Sequence, residues 1–131
     1  ASRFSAIEDY LTTAGDQICL MLQAESVAGL AALPEVLAID GVDGVFIGPS
    51  DLAADMGYLG QAGHPEVQAA VLGAIRQIHG AGKIAGVLST DLGFAAQCRA
   101  AGASFIGVGI DVLIYAQAMR SLASAVKQGA S

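Results

Sequence analysis

The chain has 131 residues, 54% of them hydrophobic and 14% charged, with a formal net charge of −6. That length fits one modest domain burying roughly two thirds of its unfolded surface, and the apolar content excludes a disordered or collagen-like chain. The six Lys and Arg lie scattered among twelve acids, so no basic stripe exists for nucleic acid or an anionic membrane surface.

The N-terminal ASRFSAIEDY carries acids early and lacks a long apolar core, unlike a signal peptide. The missing initial Met hints at a processed, tagged or truncated chain. Ile18 to Ala24 (ICLMLQA) has the continuity of a strand buried on both faces, and no apolar run approaches the roughly 20 residues of a spanning helix. Ser26 is placed to cap a helix running through Leu37 on Leu30, Leu33 and Leu37, with Pro34 a warning that this helix breaks. Gly44 to Gly48 is a second strand, and Met56 to Gly63 reads as a long loop. His64-Pro65-Glu66 opens a helix whose apolar stripe is Val67, Val71, Ala74 and Ile78, ended by Gly80 to Gly82. Ile84 to Leu88 is a third strand, and Ser89-Thr90-Asp91 caps a helix through Ala101. Ser104 to Val108 is a fourth strand. Val112 to Lys127 closes the chain as a helix, with Met119, Leu122 and Val126 as a packing stripe against this chain or a partner subunit. Cys19 and Cys98 both sit in apolar runs and read as reduced core thiols of a cytoplasmic protein, without the CxxC spacing of a metal site.

Four strand–helix units with no hairpin signal predict an α/β fold of parallel (β/α) units, with residues 1–131 forming a single domain. VFIGPSDL at 45–52 and SFIGVGIDVL at 104–113 echo one another, as repeated units do. The pattern suits a barrel wall or an open doubly wound sheet; a whole (β/α)₈ barrel takes about 250 residues, so the chain is about half of one. Ligands of such folds gather where strands end. Glu25 ends the first strand and Asp51 follows the second. Two carboxylates on one rim suit a hard divalent cation completed by water and a chelating substrate, although spacing alone favours helix caps or solvated positions.

Five segments in order, MLQAESVAGLAAL, GVDGVFIGPSDLAADMGYLG, GHPEVQAAV, AGKIAGVLSTD and GASFIGVGIDVLIYAQAM, resemble the HpcH/HpaI aldolase family over about Ser2 to Lys127. The resemblance is to the C-terminal half of that family's (β/α)₈ TIM barrel. It implies a metal-dependent class II aldolase, cleaving 4-hydroxy-2-oxo acids such as 4-hydroxy-2-oxoheptanedioate to pyruvate and an aldehyde. It makes Glu25 and Asp51 the ligands of a divalent ion, Mg²⁺ or Mn²⁺ with Co²⁺ as a further option. Gly48, Pro49 and Ser50 would border the bound pyruvate, and Leu88 its methyl side.

The family's catalytic His and substrate-clamping Arg belong to the barrel's N-terminal half, so the resemblance leaves this chain without them. His64, at a helix start, and His79, near a helix end, read as structural. Asp111 reads as a cap or a hydrogen-bonding rim residue; Asp40, Asp43 and Asp55 read as solvated turn residues. Lys83 and Lys127 are poorly placed for a Schiff base. Two other readings are a relative of the citrate lyase β-subunit and malyl-CoA lyase, and a non-catalytic half-barrel with an assembly role. The expected partners are a small 2-oxo acid and either further copies of this chain or an N-terminal half-barrel.

Overall fold

The computed structural model describes residues 2–129. Four parallel strands, β1 (Met21–Ala24), β2 (Gly44–Ile47), β3 (Ile84–Leu88) and β4 (Phe105–Gly107), form one sheet in the order β1-β2-β3-β4. The register sets Ala24 opposite Ile47, Ile47 opposite Val87, and Val87 opposite Ile106. A short helix α1 (Tyr10–Thr13) and a 3₁₀ turn precede the sheet. Helices α2 (Val27–Ala31) and α3 (Leu33–Leu37) join β1 to β2, while α4 (Pro49–Asp55) and α5 (Pro65–Gly80) join β2 to β3. Helix α6 (Leu92–Ala100) joins β3 to β4, and α7 (Asp111–Gly129) follows β4.

The two sheet faces differ as the period of two requires. Val45, Ile47, Ala85 and Val87 point into the core, where Val67, Val71, Ala74, Ile75 and Ile78 of α5 cover them. Fully burying a side chain of this kind contributes about 1.5–3 kcal/mol, so this sheet–helix layer holds the fold. Helix α5 forms because its stripe recurs at helical spacing, Pro65 occupies its first turn, and the His64 ring accepts a hydrogen bond from the Glu66 amide. On the opposite face Phe46 and Phe105 meet edge to face with centroids 6.0 Å apart. A Cβ at Gly86, on the strand between them, would lie 2.6 Å from the Phe46 ring, so this position must be bare. In a closed barrel that face would be the interior.

Several elements depart from the sequence reading. The first strand is shorter than Ile18 to Ala24 and is not buried on both faces: Ile18 is 64% exposed, and Leu20 and Cys19 are exposed too. Strand β1 is an edge, with no neighbour to cover those residues. Cys19 is therefore no core thiol, whereas Cys98 is buried, and burial pushes its thiol pKa up. The helix read from Ser26 to Leu37 is two helices divided at Ala32, because Pro34 has no N–H to continue the ladder and instead starts α3. Helix α4 occupies Pro49–Asp55, a stretch to which the sequence reading assigns no element. The stripe of Met119, Leu122 and Val126 is exposed rather than covered by the described residues: from Asp111 to Gln128 every residue but Ala116 is exposed.

Candidate functional site

Pairing of Ala24 with Ile47 brings the ends of β1 and β2 level, so Glu25 emerges beside Gly48. The Gly48 amide donates to the Ala24 carbonyl at 3.2 Å and holds the two chain segments together. A Cβ on Gly48 would lie 2.8 Å from Glu25 Oε2 and 2.9 Å from Glu25 Cβ. The Glu25 side chain thus rests on the bare Cα of Gly48. Gln23 Nε2 donates to the same Oε2. Pro49 then starts α4, which carries Asp51, exposed, in its first turn. The structure brings Glu25, Gly48 and the Asp51 turn to one rim of the sheet.

Pro49, Ser50 and Leu88 line a cavity of about 370 Å³ at this rim, within the usual size range for a small-ligand pocket. Ser89, Asp91 and Phe94 line it after β3, and Leu113 after β4. Glu25, Gly48 and Asp51 are not in its wall; Pro49 and Ser50, which lie between Gly48 and Asp51, connect the cavity to the carboxylates. Ala62 and Gly63 supply a further wall from the loop after α4. That loop is held by Tyr58 stacked on His64, centroids 3.7 Å apart, and a hydrogen bond to Glu66 pushes the Tyr58 pKa up.

The remaining candidates take structural places. His64 caps α5, and the His79 ring lies where a Cβ on Gly102 (φ +111°) would stand, which only glycine permits. Asp91 Oδ1 accepts from the Gly93 and Phe94 amides at 2.8 and 3.1 Å, the cap that was expected. Asp111 Oδ1 accepts from the Val112 amide at the start of α7. Asp40 is an exposed turn residue. Asp43 and Asp55 are more than solvated turn residues: Asp43 Oδ2 accepts from the Leu20 amide at 2.6 Å, and Asp55 Oδ2 from the Val27 amide at 2.7 Å. Lys83 Nζ donates to the Val42 carbonyl at the opposite rim. Gln23 and Asp55 were missed as site neighbours; the one polar residue inside ICLMLQA was a signal for the first.

Among the described residues no three or more His, Cys, Asp or Glu side chains come together as a metal cluster. What is present is two oxygen-bearing carboxylates, Asp51 exposed and Glu25 half-buried, on the rim that carries the cavity. That donor set fits Mg²⁺ or Mn²⁺, which keep several positions for water and substrate oxygens, and not a closed structural zinc site. Gly48→Ala tests the seating of Glu25. Its added methyl must displace the carboxylate, and Mn²⁺ affinity in a titration is expected to fall about tenfold while the far-UV circular dichroism is kept.

The family profile described as HpcH/HpaI aldolase/citrate lyase matches residues 2–118. The chain belongs to this family. It is 50% identical to a hydroxypyruvate/pyruvate aldolase of Cupriavidus necator over 98% of its own length and 48% of the relative's. A 2-keto-3-deoxy-L-rhamnonate aldolase of Klebsiella pneumoniae is 47% identical over 91% of the chain and 45% of that enzyme. The crystal structure of an HpcH/HpaI aldolase/citrate lyase family protein from Burkholderia cenocepacia superposes with a TM-score of 0.88 at 36% identity. That match covers 97% of this chain and 49% of the other. The chain thus spans about half the length of the family relatives it matches, and its four parallel units are half of a TIM barrel.

Proposed function

We propose that this chain is the half of a class II pyruvate-dependent aldolase that carries the metal ligands, acting on 4-hydroxy-2-oxo acids. The observation that carries the reading is the seating of Glu25 on Gly48, one short turn from Asp51 and beside a cavity lined by Pro49, Ser50 and Leu88. In this reading Glu25 and Asp51 hold one divalent ion, Mg²⁺, Mn²⁺ or Co²⁺. Bound there, the ion supplies Lewis-acid stabilisation of the negative charge that builds on the 2-oxo oxygen as the carbon–carbon bond breaks. The amides of Ser50 and Asp51, in the first turn of α4, have no carbonyl one turn earlier to bond and are free for the substrate carboxylate. Leu88 offers an apolar wall to the methyl end of pyruvate. The only lysines, Lys83 and Lys127, lie at the opposite rim and in the last turn of α7, which disfavours Schiff-base chemistry.

The relatives named as aldolases of hydroxypyruvate with pyruvate and of a 2-keto-3-deoxy sugar acid support the 2-oxo acid class. A cytoplasmic setting goes with this reading. Mixing the chain with the N-terminal half of the Cupriavidus necator relative tests it. Pyruvate release from 4-hydroxy-2-oxoheptanedioate should appear with Mn²⁺ and vanish with a chelator; release that ignores the chelator would overturn the metal role.

The exposed apolar surface supports association as a second property of the chain. Phe105 is 55% exposed, and α7 presents Val112, Ile114, Tyr115, Leu122 and Val126 to solvent. Strands β1 and β4 leave open edges, which template pairing. No helix among the described residues is long and apolar enough to cross a membrane, so a bilayer-spanning role for α7 is not on offer. Sedimentation equilibrium at micromolar concentration should return a mass above the 13.1 kDa of one chain. A single species at that mass would count against association.

A further inference from the structure

We propose that Asp55 is a positioning residue for Glu25, clamping the segment that carries it onto the helix that carries Asp51. The assignment rests on the metal reading above and adds a residue to it. Strand β1 ends at Ala24 and α2 begins at Val27, so Glu25 and Ser26 lie between the two regular elements. Two contacts with α4 and its cap hold this link. On one side Glu25 packs on Gly48, the residue that caps α4. On the other, Asp55 Oδ2 in the last turn of α4 accepts from the Val27 amide at 2.7 Å. Asp51 and Asp55 are four apart on one helix and share a face. The face that reaches Val27 through Asp55 therefore turns Asp51 toward Glu25, two residues before Val27.

The bond is charge-assisted and short, the stronger kind. Ser26 Oγ meets a different amide, that of Gly29, at 3.0 Å, so Asp55 does not duplicate the local cap. Without Asp55 the link keeps its Gly48 contact and loses its other anchor. The spacing of the two carboxylates then depends on a two-residue segment free to shift by a fraction of an ångström. An octahedral ion of the Mg²⁺ type tolerates little of that.

The test is a Mn²⁺ titration of the full 131-residue chain, followed by the spectroscopic signal of free Mn²⁺, with thermal unfolding in parallel. Asp55→Ala is expected to bind about tenfold more weakly, the size of effect seen when an outer partner of a ligand is removed. Asp55→Asn keeps an oxygen acceptor for the Val27 amide and should stay within about threefold of the parent. Val27→Pro removes the same bond from the donor side. Proline is favoured at a first helical position, and Ser26, at φ −141° and ψ 160°, is already extended as a residue before proline must be. Its affinity should match that of Asp55→Ala, and the double variant should lose no more than either single one. Parent affinity in Asp55→Ala, an Asn variant as weak as Ala, or additive losses would each overturn the positioning role while the metal reading stands. If Asp55→Ala does not fold, Val27→Pro against Asp55→Asn decides the matter in the same way. Absence of saturable Mn²⁺ binding in the parent would overturn the metal reading and this role with it.

Discussion

Asp51→Ala is expected to weaken Mn²⁺ binding by at least about a hundredfold, since changes one shell further out already cost about 10- to 100-fold. The reason is arithmetic of charge and number. The proposed site has two protein ligands, both anionic, and loss of one leaves a single carboxylate, Glu25, whose Oε2 is also engaged by Gln23. Water cannot replace the lost charge, and affinity for a hard cation follows ligand charge and count. Asp51 is exposed and in the first turn of α4, where alanine removes no buried contact. The fold should therefore survive, with thermal unfolding close to that of the parent. A Mn²⁺ titration reads the result, and equal affinity in parent and variant would remove Asp51 from the site.

The chain alone is expected to cleave 4-hydroxy-2-oxo acids at least about a thousandfold more slowly than a full-length relative, because proton transfer by a positioned side chain is commonly worth 10²–10⁴-fold. Neither of its two histidines is free for that task. His64 accepts from the Glu66 amide and stacks on Tyr58, and His79 is packed on Gly102 at the far end of α5. Among the described residues the cavity wall contains no Arg, Lys or His to clamp a second carboxylate or move a proton. Steady-state pyruvate release at saturating Mn²⁺ checks this. Turnover equal to that of the Cupriavidus necator relative would overturn this expectation, and the missing groups would then have to come from elsewhere.

Much of this was legible in the residues. The cores of β2, β3 and β4 follow from short apolar runs bounded by glycine, and the α5 stripe follows from its period. Glu25 and Asp51 stand out as candidates because strand ends are readable, and Pro49, Ser50 and Leu88 because their motifs resemble a known family. Other features were hidden for physical reasons. Hydropathy reports where a side chain would be comfortable, not whether this chain covers it, so Ile18, Leu20 and the α7 stripe read as buried and are exposed. No helix is assigned to Pro49–Asp55 from the sequence, because a seven-residue helix carries too short a periodic pattern, although proline in a first turn is itself a helix-start signal. Asp55 meets Val27 across 28 residues of sequence, a contact no local pattern encodes.

The strictly sequential order of the sheet has a consequence for how the molecule is made. Each strand after β1 can pair, as it is made, with the one synthesised just before it, so its first pairing never waits for a segment still on the ribosome. Loop closure costs more entropy as a loop lengthens, and one connection in this sheet is longer than the other two. That loop is the β2–β3 crossover, which contains α4, the segment walling the cavity, and α5. The packing of α5 on Val45 and Ile47 thus lies within the same crossover that brings Leu88 level with Pro49 and Ser50, which ties the sheet's longest loop to the rim of the cavity.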